Sequence, residues 1–145
     1  MKKVFAEIIA GMIPCKMARN RWRGLLRFGL LKALRLKREL RRNTTRPVHY
    51  LAVCAIAKNE GPYFREWIEW HLTQGVEKFY IYDNESTDGT REVLQPYIER
   101  GVVDYRYWPG YRRQLAAYDD CMDRHRFAAR WIAFIDLDEF IVPLQ

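Results

Sequence analysis

Cysteine is scarce in this 145-residue chain: Cys15, Cys54 and Cys121 make three, an odd number with no CxxC pair. That usage excludes a disulfide framework and argues for a reducing compartment. Missing too is any run of the ~20 consecutive apolar residues that a membrane-spanning helix needs. The start, MKKVFAEIIAGMIPC, has the outline of a signal peptide. However, Glu7 breaks its apolar stretch, and KMARNRWR stands where small cleavage-site residues belong, so export is not expected. There is no repeat of fixed period and no low-complexity tract, which sets aside solenoids and spacers.

What is present is a globular composition, 49% apolar with 14% aromatic residues, in a chain long enough for one domain with its own core. The net charge of +7 conceals two unlike parts. Residues 1–48 carry 14 Lys and Arg against two Glu, whereas residues 49–145 carry 11 basic against 16 acidic side chains. A polybasic, leucine-rich tail before a mildly acidic body suits a tether to something anionic better than a basic active site. Within the tail, NRWRGLLRFGLLKALRLKRELRR (20–42) has the composition of a helix. Leu26, Leu30, Ala33 and Leu40 share one sector, but Lys37 intrudes and Phe28 and Leu31 fall outside. Two roles fit such partial amphipathicity: a helix on an anionic membrane face with Trp22 at headgroup depth, or a basic helix packed on protein. Nucleic acid is not expected as a partner, because the aromatics do not interleave with the basic residues as a stacking platform requires. The expected location is cytoplasmic, peripheral on the inner face of the membrane.

RNTTRPVHY (42–50) is polar, holds a proline and lacks periodicity, marking the boundary between the tail (1–48) and a folded domain (49–145). Beyond it, apolar runs alternate with helical stretches. YLAVCAIA, KFYIYD, VVDYRYW and WIAFID predict four strands. EGPYFREWIEWHLTQG, TDGTREVLQPYIERG and RRQLAAYDDCMDRHRFAAR predict three helices, the second open to a kink at Pro96. This order predicts an α/β domain on an open, mostly parallel sheet with flanking helices.

Such sheets bind ligands beyond the carboxyl ends of their strands, and all four predicted ends are polar: AKNE (57–60), DNESTDGT (83–90), WPGYRRQ (108–114) and DLDE (136–139). The last is the most demanding, because three carboxylates between apolar runs need a partner, a cation or a cleft. In extended chain Asp136 and Asp138 point the same way, with Cα atoms about 6–7 Å apart, and address one cation directly or through its water. Hard oxygen ligands suit Mg²⁺ or Mn²⁺, which complete their shells with water and substrate phosphate. The same Asp-x-Asp also reads as a solvated strand end or turn. Asp83 follows FYIY, where an acidic residue accepts hydrogen bonds from a base or ribose. Ser86, Thr87 and Asp88 read better as a helix cap and turn, and His71 as a packing residue. Asn59 and Glu60 also fit a helix start favoured by the dipole. Arg112 and Arg113 read equally as phosphate ligands and as a solvated helix start.

AIAKNEGPYFREWIEWHLTQGVEKFYIYDNESTDGT, RRQLAAYDDCMD and WIAFIDLDEFIVP, in this order and spacing over roughly residues 50–143, resemble the nucleotide-binding half of glycosyltransferase family 92 and its family-2 relatives, which have the GT-A fold. The resemblance implies transfer of a sugar, with inversion, from a nucleotide-diphosphate donor such as a UDP-sugar to a glycan or lipid-linked acceptor. It implies Asp136 and Asp138 as the metal pair for Mn²⁺ or Mg²⁺, with Asp136 also in the nucleotide-sugar site. It further implies Asp83 as the nucleoside-contacting acid and Glu60 as another nucleoside contact, with Asn59 and Asn84 in the same site. A role in bacterial surface-polysaccharide or lipopolysaccharide assembly is implied as well. Inverting members of the family draw their catalytic base from the segment after the Asp-x-Asp strand, of which this sequence has only a few residues. The base is therefore expected beyond Gln145, and Glu139 stands too close to the metal pair to take that role. A shortened domain able to hold a metal nucleotide is the expectation; the alternative is a non-catalytic nucleotide-binding module that needs a partner chain. A metal-dependent nucleotidyltransferase would also use paired carboxylates on such a sheet, and a membrane-surface interaction protein would bind no nucleotide.

Overall fold

The computed structural model describes residues 12–14 and 47–143. The elements are β1 (Met12–Pro14), β2 (His49–Ala57), α1 (Gly61–Thr73), β3 (Lys78–Asp83), α2 (Thr90–Glu99), β4 (Val103–Tyr107), α3 (Gln114–His125) and β5 (Ala129–Phe134). They form one sheet of order β1-β5-β2-β3-β4. The four strands from β2 to β5 run parallel, and β1 closes the β5 edge antiparallel, with Ile13 opposite Ile132. All four expected strands and all three expected helices are present in the expected order, so the domain is α/β. The strand β1 has no counterpart among those expectations. The helix expected over residues 20–42 lies outside the described residues, as do Cys15 at one end and Gln145 at the other. Among the described residues no helix is long and apolar enough to cross a membrane.

β2 reads as a continuous apolar run because both its edges are paired and both its faces are covered, as is usual for a central parallel strand. Val53, Ala55 and Ala57 face a layer built from Phe64, Trp67 and Ile68 of α1 and Leu94 and Tyr97 of α2. Ala52 and Cys54 face the opposite layer with Ala117 and Cys121 of α3. Burial of each large apolar side chain contributes about 1.5–3 kcal/mol, and Phe64, Trp67, Ile68, Phe79 and Ile81 are fully enclosed. Cys54 and Cys121 are free thiols within this packing. Burial, then the adjacent Cys121 side chain, pushes the Cys54 thiol well above its ordinary value.

Pro96 lies inside α2, as expected, and the Arg100 N–H reaches the Pro96 carbonyl at 3.2 Å. Two boundaries differ from expectation. α3 stops at His125 and β5 begins at Ala129, because FAAR turns and then pairs with the start of β2, His49 opposite Ala129. β5 stops at Phe134, so Asp136 lies beyond the ladder.

The topology locates the place for a ligand. The chain lays down β2, β3 and β4 in one direction, then returns to set β5 on the other side of β2. Loops leaving β2 and β5 therefore diverge, and the crevice between them is where open α/β sheets bind.

Candidate functional site

A cleft of about 470 Å³ opens at that switch point. Lys58 and Glu60 line it from the loop after β2, Asn84 from the loop after β3, Arg112, Arg113 and Gln114 from the start of α3, and Asp136, Leu137 and Asp138 from the segment after β5. Of the residues expected in the site, the structure brings Glu60, Asn84, Asp136 and Asp138 together.

The Asp-x-Asp pair does not share a face by strand alternation, as the extended reading supposed. It lies in a turn, closed by the Glu139 N–H to the Asp136 carbonyl at 3.2 Å. The Glu139 carboxylate folds back to accept the Asp136 N–H at 3.1 Å. That bond occupies Glu139 within the turn. A base drawn from beyond Gln145 would lie past the last described residue, 143. Leu137 points into the core at 5% exposure, which leaves Asp136 and Asp138 exposed on either side of it. Asp136 Oδ1 accepts Gln114 Nε2 at 3.2 Å and, more weakly, the Tyr118 hydroxyl at 3.5 Å. Burial pushes the Tyr118 phenol up to about 12, so it stays protonated. Among the described residues, Asp138 has neither a hydrogen bond nor an ion pair. Burial, then the charges of Asp138, Asp136 and Asp88, raises the Glu60 carboxyl above its ordinary value, which registers the negative potential of this wall. The carboxylate of Asp138 and the second oxygen of Asp136, exposed and without a protein donor, are a donor set that fits a small hard cation.

The remaining expected residues are engaged by the protein itself. Asp83 is 3% exposed; one oxygen accepts the Ser86 N–H at 2.9 Å and the other the Tyr105 hydroxyl at 2.5 Å. Asn59 has a φ of 58°, a left-handed conformation that Asn tolerates. Its N–H donates to Ser86 Oγ at 2.8 Å and its side-chain oxygen accepts the Thr87 N–H at 2.8 Å. Asn59 thus ties the loop after β2 to the loop after β3. Asp88 makes a second tie, accepting the Gly61 N–H at 2.8 Å and the Thr90 N–H and hydroxyl at 3.1 and 2.6 Å. The N-cap of α2 is Gly89, with no side-chain cap of its own, so Asp88 satisfies the first turn from one residue earlier. Asn84 donates both amide hydrogens to the carbonyls of Trp108 and Gly110, each at 2.8 Å. It anchors the loop after β4 and keeps its side-chain oxygen for the cleft.

Lys58, Gln114 and Tyr118 are site residues that the sequence reasoning missed. Gln114 and Tyr118 stand one helical turn apart on the first turns of α3, and a helix opening directly after a polar strand end was the available signal. Arg112 (φ 53°) and Arg113 stand over the rings of Tyr111 and Trp108 at 5.0 and 5.5 Å. Among the described residues none of Lys58, Arg112, Arg113, Glu60, Asp136 and Asp138 forms an ion pair.

Comparison with known proteins gives this arrangement a family. A glycosyltransferase family 92 protein of Oryza sativa subsp. japonica is 39% identical over 97 residues, 66% of this chain and 17% of that protein. A galactan beta-1,4-galactosyltransferase of Arabidopsis thaliana is 38% identical over 92 residues, 56% of this chain and 18% of that protein. A beta-1,4-galactosyltransferase of Caenorhabditis elegans is 35% identical over 91 residues, 54% of this chain and 21% of that protein. The chain thus spans about a fifth of the length of these relatives. They are plant and animal proteins, and the expectation of a bacterial lipopolysaccharide enzyme draws no support from them. The profile of Glycosyltransferase family 92 matches residues 49–145, and the chain belongs to that family.

Proposed function

We propose that this domain is the donor-binding part of a metal-dependent inverting glycosyltransferase and that its cleft holds a nucleoside diphosphate sugar together with Mn²⁺ or Mg²⁺. The observation that carries the reading is the charge of the cleft: three carboxylates and three cationic side chains share one crevice without pairing among themselves. A divalent ion and a diphosphate are the complementary partners of such a set. Asp136 and Asp138 would hold the ion, with water and donor phosphate oxygens completing its shell; among the described residues no three His, Cys, Asp or Glu side chains make a ready metal cage. Lys58, Arg112 and Arg113 would pair with the phosphates, Arg offering two parallel N–H donors. Glu60 and the free oxygen of Asn84 would accept hydrogen bonds from the nucleoside, behind the frame that Asp83 and Asn59 hold rigid. When bound, the cation would stabilise the charge that grows on the departing diphosphate, more in the transition state than in the ground state.

The named activity of the galactosyltransferase relatives makes UDP-galactose the first donor to assay and a galactan the first acceptor. On charge alone we also assign residues 1–48 to an anionic cytoplasmic membrane face. Calorimetry of UDP with and without Mn²⁺ tests the site. Wild type should gain affinity from the metal, Asp136→Ala should lose that gain and keep a weak metal-free affinity, and the double variant Arg112→Ala/Arg113→Ala should weaken both. Affinity for UDP that is indifferent to metal in the wild type would reject the reading.

A further inference from the structure

The turn that carries Asp136 and Asp138 lies outside the sheet, and its far end is hung from α1 by side chains. Trp67 Nε1 donates to the Glu139 carbonyl at 2.9 Å and Trp70 Nε1 to the Ile141 carbonyl at 3.1 Å. The Ile141 N–H reaches His71 Nε2 at 3.2 Å. Because that N–H can only donate, Nε2 must accept, which puts the imidazole proton on Nδ1, where it donates to the Trp67 carbonyl at 2.7 Å. Phe140 stacks on His71, centroids 5.8 Å apart and planes 11° from parallel, and meets Trp70 edge-on at 6.0 Å. Three residues spaced i, i+3, i+4 lie on one helical face, and all three grip residues 139–141. The near end of the turn is held by the Ile135 N–H to the Cys54 carbonyl at 3.3 Å and by Leu137 in the core.

We propose that Trp67, Trp70 and His71 are positioning residues for the cation-holding turn: they fix the chain after Asp138 so that both carboxylates are set before a ligand arrives. This rests on the proposed metal-nucleotide reading and deepens it. Free carboxylates on an unanchored turn must be ordered at binding, and losing the partners that orient metal ligands typically costs ~10–100-fold in metal affinity.

The test is calorimetry of UDP with and without Mn²⁺ on the full chain, beside a thermal melt, for wild type, Asp136→Ala, His71→Leu, His71→Gln and Trp70→Phe. Gln presents an acceptor near the position of Nε2, and Phe retains the ring of the half-exposed Trp70 while removing only its donor. His71→Leu and Trp70→Phe should each weaken the metal-dependent part of UDP affinity by about 10-fold with metal-free affinity within about two-fold of wild type, and His71→Gln should recover most of it. If His71→Leu does not fold, Trp70→Phe against His71→Gln still decides. Wild-type metal dependence in Trp70→Phe, equal weakening with and without metal, or no recovery by His71→Gln would overturn the positioning role while Asp136→Ala still loses its metal response. If the wild type shows no metal response at all, the metal-nucleotide reading falls, and this inference with it.

Discussion

Apart from the long contact of Tyr118 with Asp136, two tyrosines donate to two aspartates among the described residues, and the structure sets them apart by what each would leave behind. The Tyr105 hydroxyl meets Asp83 Oδ2 at 2.5 Å, and the Tyr82 hydroxyl meets Asp120 Oδ2 at 2.8 Å. Tyr82 is the more enclosed phenol, and burial raises both phenols far above their ordinary value. Ranking by the donor would therefore make Tyr82→Phe the costlier change. The acceptors rank the other way. Asp83 is 3% exposed and has only the Ser86 N–H besides Tyr105. Asp120, at 24% exposure, has Arg106 at 3.5 Å and Arg124 at 4.0 Å on the same oxygen, and water within reach. A hydrogen bond to a charged group contributes ~1.5–3 kcal/mol, and a carboxylate oxygen stranded without solvent bears the full loss. Tyr105→Phe, whose ring still lies under Arg91 at 5.4 Å, should cost about 2 kcal/mol, and Tyr82→Phe roughly 0.5–1 kcal/mol. With a urea slope of ~1.5 kcal/mol/M, the midpoints should fall by roughly 1.3 M and 0.3–0.7 M. An equal or larger loss for Tyr82→Phe would refute the claim that the stranded acceptor, not the buried donor, decides the cost.

Three further predictions concern the loops, the histidines and the tail. A Cβ at Gly61 would meet Asp88 Oδ2, Thr90 Cα and Thr90 N, each at 3.2 Å. Overpacking of ~1–3 kcal/mol should exceed the ~0.4–1 kcal/mol gained by restricting the unfolded chain, so Gly61→Ala should melt several degrees below wild type. Burial lowers the basicity of His71, and also of His125, where it outweighs the pull of Asp104. The unfolded chain then takes up these protons first. Stability should be complete above about pH 6.5 and decline as pH falls towards the lowered folded values, and His71→Gln should remove part of that slope in urea melts. The full chain should sediment with phosphatidylserine vesicles at low salt and come off as the screening length shrinks from about 10 Å at 0.1 M to about 3 Å at 1 M; binding indifferent to salt would favour the protein-packing role of residues 20–42.

The strands and their polar ends were legible because parallel strands covered on both faces must be apolar and their ends must leave the dry layer. That reasoning reaches Glu60, Asn84, Asp136 and Asp138, which share the cleft. It fails where a polar side chain finds its partner across the fold. Asn59 and Asp83 look as available as Asp136 in the sequence, yet Asn59 is engaged by a loop 27 residues away and Asp83 by Tyr105, 22 residues away. His71 reads as packing because its partner, the Ile141 N–H, lies 70 residues on. Alternation misleads in one respect as well: out, in, out at Asp136, Leu137 and Asp138 fits an extended strand and a turn alike, and only the Glu139 N–H to Asp136 carbonyl bond tells them apart. The residues that point to a ligand are thus those whose charge no protein partner accounts for. Asp83 is more deeply buried than Asp138 and is the last residue of β3, but its oxygens are satisfied. Asp138 has no hydrogen bond or ion pair among the described residues, and its charge adds to burial in raising the Glu60 carboxyl above its ordinary value. A carboxylate that no protein donor offsets stabilises a bound cation more than it stabilises the fold, which is why the proposed cation site lies at the end of β5 rather than at the end of β3.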